Sequence, residues 1–159
     1  MSEEGDVAPR PMANMLAAAT EGQTSVTMTP EEFIYLDRDC DLFMTLIRQV
    51  QQIADDVSRQ DVWGLGEAND RLTSARAMVG RYKVKGRGAP DGNGVFEIME
   101  QHYQIVKDIQ NTYRIMRDQM MQADSEWAAA FNSLSETLPE RPPVAPTLGP
   151  YILPGGSTR

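Results

Sequence analysis

The fold is decided by residues 33–57, which read FIYLDRDCDLFMTLIRQVQQIADDV. Apolar residues recur here in alternating steps of three and four, so they fall on one stripe of an α-helix. The stripe consists of Phe33, Leu36, Cys40, Phe43, Ile47, Val50, Ala54 and Val57. Further apolar residues, such as Leu42 and Ile53, widen it, and we therefore expect more than one neighbouring element to cover this helix.

Start and stop signals frame this first long helix. Thr29 can cap the first free amides, Pro30 suits the first helical position and Glu32 can complete a capping box. Downstream, Gly64 and Gly66 favour the left-handed turn that closes a helix. The sequence therefore predicts a helix over about residues 30–62.

The same spacing returns twice after this turn. A shorter pattern predicts a helix over about 66–83, followed by a glycine-rich loop over 83–94. Its seam runs through Leu65, Ala68, Leu72, Ala75, Val79 and Tyr82. A longer pattern predicts a second long helix over about 95–135, along the seam Val95, Met99, His102, Val106, Ile109, Tyr113, Met116, Met120, Ala123, Trp127, Ala130 and Leu134.

Both ends of the chain lack a sustained period. Residues 1–28 mix small, polar and acidic residues, and we expect a largely disordered arm, apart from an Ala-rich stretch near 12–20 that can form a turn or two of helix. Residues 139–159 are rich in proline, which cannot continue a helix, and we expect a disordered tail. The predicted fold is all-α: an elongated helical hairpin or bundle with two long helices and a shorter one, in a domain over 29–138.

Charge limits the kinds of partner. The chain has a net charge of −8, which argues against nucleic acid and an anionic membrane and favours a protein partner. No segment has the roughly 18 apolar residues of a membrane span. Because the start is acidic where a secretory signal would be basic, we expect a cytoplasmic protein, with any export following a signal-peptide-independent route.

Catalytic and metal-binding patterns are weak. His102 lies on the predicted seam, where a packed side chain is expected, and Met99 stands where a di-iron bundle would need glutamate. Cys40 lies within the first stripe and is interpreted as a core thiol. The alternating Asp37, Asp39 and Asp41 resemble a calcium loop, but the glycine and the final glutamate of such a loop are missing. We predict no enzyme, no cofactor, no metal and no small-molecule substrate.

Two sets of residues are predicted to bind protein partners. The first uses the helix stripes for homo- or hetero-oligomerisation and consists of Trp63, Phe43, Ile47, Ile109, Tyr113, Met116, Met120 and Trp127. The second is a basic cluster of Arg81, Lys83, Lys85 and Arg87, which is either a solvated loop or a docking patch for an acidic partner.

The turn Trp63-Gly64-Leu65-Gly66 between helices resembles the Trp-x-Gly turn of the WXG100 superfamily of type VII secretion proteins. The resemblance implies a small helical hairpin that pairs with a related chain and is exported folded. Here the tryptophan is followed directly by glycine, so that Trp63 and Gly66 bracket the turn. The family's Tyr-x-x-x-Asp/Glu export signal is not found after the second helix, since Lys107 follows Tyr103 at that spacing.

The leading functional hypothesis is a non-enzymatic interaction or assembly protein, acting as a component, substrate or chaperone-like partner of a bacterial secretion system. The alternative is a structural subunit of a filament, needle or phage particle, in which helical hairpins stack through the same stripes. A filament subunit associates without closing, whereas a secretion partner forms a small complex of fixed stoichiometry.

Overall fold

The computed structural model describes residues 10–141, and within this range the chain is helical with no β-strand. The helices are α1 (Ala13–Thr20), α2 (Pro30–Arg59), α3 (Thr73–Gly86), α4 (Val95–Ala123) and α5 (Ser125–Thr137). The predicted all-α class is confirmed. None of the helices in this range is long and apolar enough to cross a membrane.

Helix α2 begins with the capping box expected from the sequence. The Thr29 hydroxyl accepts a hydrogen bond from the Glu32 amide at 3.2 Å, and the Glu32 carboxylate accepts one from the Thr29 amide at 2.8 Å. The hydrogen bonds that the Thr29 amide and hydroxyl donate to the Glu32 carboxylate lower the pKa of Glu32. The helix ends at Arg59, three residues before the predicted end, because Gln60–Gly66 already form the following turn.

The prediction of one continuous helix over 95–135 is wrong. Asp124 has extended backbone angles (φ −134°, ψ 107°) and its carboxylate accepts hydrogen bonds from the amides of Glu126 and Trp127. An aspartate in this position is a strong N-cap and begins a new helix. The apolar stripe continues across the break, and for this reason periodicity alone did not reveal it.

Helix α3 also differs from its predicted bounds of 66–83. Residues 66–72 form successive turns, in which Asn69 donates its amide to Gly66 and Leu72 donates its amide to Asn69. The helix therefore begins at Thr73. It then continues through Lys83, Val84 and Lys85 to Gly86, residues that the sequence analysis assigned to a loop.

The described chain divides into two compact units: a first unit of residues 10–45 and 102–140, and a second unit of residues 46–101 with Arg141. In the first unit, Phe33 is buried at the centre of an aromatic cluster. Its ring meets those of Tyr113 and Trp127 edge to face, with centroids 6.2 Å and 5.5 Å away. Edge-to-face contacts add to the free energy gained by burying such rings.

Polar side chains fix the register of α2 against α4 in the first unit. The Arg114 guanidinium donates two hydrogen bonds to the Asp37 carboxylate, at 2.5 Å and 2.9 Å. One helical turn along α2, Asp41 accepts a hydrogen bond from the amide of Gln110 at 2.8 Å. Because the partner number falls as the α2 number rises, the two segments are antiparallel here. Beside them Cys40 is buried, as predicted for a core thiol, and burial raises the pKa of its thiol.

The end segments of the first unit are held on this core. The predicted disordered arm contains α1, whose Ala19 is fully buried and accepts a hydrogen bond through its carbonyl from Gln119. Before α1, Arg10 pairs with the fully buried carboxylate of Asp108. At the other end, the Pro139 carbonyl accepts a hydrogen bond from the Tyr35 hydroxyl. The rest of the predicted arm and tail, residues 1–9 and 142–159, lies outside the described residues.

The second unit is built where α3 and the start of α4 pack on the later part of α2. The Gln51 side-chain amide donates hydrogen bonds to the Phe96 carbonyl and to the Glu100 carboxylate, both at 3.1 Å. At Gly86, helix α3 packs closely against the backbone of α2 at Ala54 and Ser58. This close approach lets Arg87 reach Asp55, with 2.6 Å between the guanidinium and the carboxylate.

Candidate functional site

The connection between α2 and α3 carries the strongest candidate site, and its shape is set by Glu67. The Glu67 carboxylate accepts hydrogen bonds from the amides of Trp63 (2.5 Å), Gly64 (3.2 Å) and Leu65 (2.9 Å). Gly64 and Gly66 have positive φ angles of 71° and 88°, which glycine adopts without the steric cost of a side chain. A side chain of the protein itself thus fills a concave site of backbone amides.

Trp63 is positioned by this turn against the exposed side of α3. Its indole N–H donates to the Gln60 carbonyl at 2.9 Å, and its ring stacks on Tyr82 with centroids 5.8 Å apart and planes 12° from parallel. Met78 lies one helical turn before Tyr82, and side chains four residues apart on a helix are neighbours. We call Trp63, Met78 and Tyr82 the aromatic surface.

The aromatic surface is open to solvent. Met78 is 47% exposed and Tyr82 50% exposed, although both are large and apolar. The connecting segment adds exposed Val62, Leu65 and Leu72. Met78 and Tyr82 lie on one side of α3, and large apolar side chains that share an exposed helix face are unusual unless the face binds something.

The predicted basic cluster divides into three kinds of residue. Arg87 is structural, since its guanidinium pairs with Asp55 and lies 4.1 Å from the centroid of the Phe96 ring. Lys83 and Lys85 form long ion pairs with Asp61 (3.6 Å) and Asp91 (3.7 Å). Arg81 is exposed and makes no ion pair with the residues that the structure describes.

The residues predicted to bind partners through the stripes have different surroundings. Phe43 is exposed, whereas Ile47 lies in the core and offers a partner little surface. The five predicted residues on α4 and α5 are half-buried and lie in the first unit; they are Ile109, Tyr113, Met116, Met120 and Trp127. His102, predicted to be packed, is exposed, whereas the polar residues Asp108, Gln110 and Thr112 of α4 are buried.

A cleft of about 270 Å³ in the first unit is the main alternative site, lined in part by Arg38, Arg114 and Arg117. Each of these cations already has a partner. Arg38 donates to the carbonyls of Leu138 and Pro139, Arg114 pairs with Asp37, and Arg117 with Asp118. We interpret the cleft as part of the packing of the first unit.

Sequence reasoning missed Met78 and the role of Glu67. It placed Tyr82 on a buried seam, although Tyr82 is exposed and Val79 is buried. A signal was present, since Met78 and Tyr82 are one helical turn apart in a segment with many cations. No residue from Arg71 to Pro90 is acidic.

The turn gives a pH-dependent prediction. Hydrogen bonds from the backbone, that of Trp63 first, lower the pKa of Glu67. A lowered pKa in the folded state means that the ionised carboxylate stabilises the turn above the pKa of unfolded glutamate. This stabilisation is lost as the pH falls through the folded-state pKa.

We expect the indole N–H resonance of Trp63 in nitrogen–proton NMR spectra to stay unchanged on acidification until the pH falls below the usual glutamate range. In the Glu67→Gln variant the resonance should already be shifted at neutral pH, because an uncharged amide is a weaker acceptor. The change of this resonance on acidification should be absent. Glu136→Gln, an exposed substitution in α5, is the control. If the Glu67→Gln variant gave the same Trp63 resonance and the same pH dependence as the wild-type protein, this carboxylate would not hold the turn.

Comparison with protein-family models, with curated proteins and with solved structures finds no match to this chain.

Proposed function

We propose that this chain is a non-enzymatic interaction protein that binds another protein chain through the aromatic surface of Trp63, Met78 and Tyr82. The observation that carries this proposal is the distribution of exposed large apolar residues. Seven of them lie within residues 62–95: Val62, Leu65, Leu72, Met78, Tyr82, Val84 and Val95. Burying such residues against a partner is favourable by roughly 25 cal/mol per Å² of apolar area.

The side chains of this surface suit protein recognition. Tyrosine and tryptophan combine a large apolar area with a polar group, and both are enriched at interfaces. Methionine adapts its shape to a partner because its chain is unbranched and polarisable. The stack of Trp63 on Tyr82 holds two of the three side chains in place before binding, and this reduces the entropy lost on association.

The process served by this binding is part of the proposal. The resemblance of Trp63-Gly64-Leu65-Gly66 to the WXG100 turn supports a role in a bacterial secretion system, as a component, a substrate or a chaperone-like partner. An elongated hairpin and oligomerisation through the helix stripes stay predictions of the sequence. Exposed Phe43 on α2 is consistent with a second contact in the first unit.

A cross-linking experiment tests the proposal. The photo-cross-linking amino acid p-benzoylphenylalanine is placed at position 78 instead of methionine. Ultraviolet irradiation of the cells in which this protein naturally occurs should then give a discrete adduct of this chain with a second protein. The same group in place of Lys107, an exposed residue of α4, is the matched control. Equal labelling from both positions, or no adduct from position 78, would contradict binding at the aromatic surface.

Light scattering after size-exclusion chromatography separates this proposal from the filament alternative. An interaction protein should stay a monomer or a small closed oligomer over a range of concentrations. A filament subunit should grow into larger species as the concentration rises.

A further inference from the structure

Charge is distributed very unevenly around the aromatic surface. The whole chain has a net charge of −8, yet residues 71–87 contain six cations and no acidic residue. These cations are Arg71, Arg76, Arg81, Lys83, Lys85 and Arg87. Helix α3 itself carries four of these cations and no acidic residue. Arg76, Lys83 and Lys85 pair with Asp70, Asp61 and Asp91 of the flanking segments, whereas Arg81 is left to attract opposite charges on a partner.

Two of these cations are placed to act together with the aromatic surface. Arg81 follows Met78 by three residues, Lys85 follows Tyr82 by three, and residues at this spacing share a helix face. Arg81 has no ion pair within residues 10–141. Lys85 has a long contact to Asp91, in which both side chains are more than half exposed, and a hydrogen bond of 3.3 Å to the Asn93 carbonyl. Such exposed pairs contribute little and are readily exchanged for a partner's carboxylate.

We propose that the partner is an acidic amphipathic protein segment that lies along α3. Its apolar side chains pack on Trp63, Met78 and Tyr82, and its carboxylates pair with Arg81 and Lys85. This inference rests on the proposed function and adds the chemistry of the partner. The apolar residues Met78 and Tyr82 alternate with the cations Arg81 and Lys85 along one face of α3. A partner helix with one apolar and one acidic side is complementary to this face.

Other occupants fit less well. An anionic membrane would be attracted to α3 but repelled by the net negative charge of the rest of the chain. A second copy would have to supply an acidic helix face of its own, and two of the carboxylates of α2, those of Asp37 and Asp55, are already bound to Arg114 and Arg87.

The test uses two synthetic helical peptides with leucine at identical positions, one with glutamate and one with lysine at the remaining exposed positions. Calorimetric titration of the full chain should show binding of the acidic peptide. The affinity for the basic peptide should be weaker by about tenfold or more. The double variant Arg81→Glu/Lys85→Glu should lower the affinity for the acidic peptide about tenfold or more. Lys107→Glu, the matched control on α4, should leave it unchanged.

The outcomes separate this inference from the proposed function. Equal binding of both peptides, or an acidic-peptide affinity unaffected by Arg81→Glu/Lys85→Glu, overturns the acidic partner. In that case the proposed function would stand if a further substitution, Tyr82→Ser, abolished the binding of both peptides. Binding of neither peptide also overturns the acidic partner, while the cross-link from position 78 continues to decide the proposed function.

Two further measurements address the other occupants. Sedimentation with vesicles of phosphatidylserine and phosphatidylcholine should show no binding that depends on Arg81 and Lys85. Light scattering should show no dimer that the Arg81→Glu/Lys85→Glu variant abolishes. A positive result in the first would assign the surface to a membrane, and in the second to a copy of this chain, and either would overturn the inference.

Discussion

Replacing Phe33 by alanine is expected to lower the free energy of unfolding by about 3–5 kcal/mol. Phe33 is 3% exposed and its ring contacts Tyr113 and Trp127 edge to face. Truncation removes the burial of the ring, breaks both aromatic contacts and leaves a cavity between α2 and the helices that cover it. Since small domains are stable by only about 5–15 kcal/mol, this is a large part of the total.

The matched control lies on the same helix. Phe43 belongs to the same apolar stripe but is 59% exposed, so Phe43→Ala should change the free energy of unfolding by no more than about 0.5 kcal/mol. Urea unfolding followed by far-ultraviolet circular dichroism measures both variants. A loss of similar size for Phe33→Ala and Phe43→Ala would show that the two rings are equally buried, against the packing described for the first unit.

The contrast between Phe33 and Phe43 shows what hydrophobic periodicity can establish. It correctly identified α2 as a helix and placed Phe33, Cys40, Ile47 and Ala54 on a buried line, one every seven residues. It also placed Phe43 on this stripe, where the structure leaves the side chain exposed. Next to the buried line lie polar residues that hydrogen-bond to α4: Asp37 in the first unit and Gln51 in the second.

Polar burial explains the other differences on α4. The fully buried Asp108 carboxylate is paired with Arg10, and the buried Gln110 bonds to the Asp37 carbonyl and the Asp41 carboxylate. A buried polar group is tolerated when it is paired, but the pairing partner lies far away in the sequence. An apolar pattern therefore predicts that such residues are exposed, although Asp108 and Gln110 are both buried here.

The candidate site was predictable only in part. Trp63 and the basic residues stood out from composition and from the turn glycines. The exposure of Met78 and Tyr82 could not be predicted, because a short apolar period does not show which side of α3 is covered by α2. Glu67 could have been suspected as a turn acceptor, but its bonds to three successive amides depend on backbone angles that the sequence does not specify.

Replacing Gly86 by alanine is expected to destabilise the second unit by about 1–3 kcal/mol. An added Cβ atom at position 86 would lie 2.7 Å from the Ala54 carbonyl oxygen and 3.3 Å from the Ser58 amide nitrogen. Both atoms belong to the backbone of α2, so no side chain can move aside to relieve the contact. The end of α3 would have to shift outward, which would also lengthen the contact between Arg87 and Asp55.

Gly80 provides a control in the same helix with an expected effect of opposite sign. Nothing lies within 4 Å of the position that a Cβ atom would take there. Gly80→Ala should therefore stabilise the protein by about 0.4–1 kcal/mol, because alanine restricts the unfolded chain and favours the helix. Thermal unfolding of the two variants should move the midpoint in opposite directions. Stabilisation by both substitutions would mean that α3 and α2 are not in close contact at Gly86, and the position of Arg87 against Asp55 would then need another explanation.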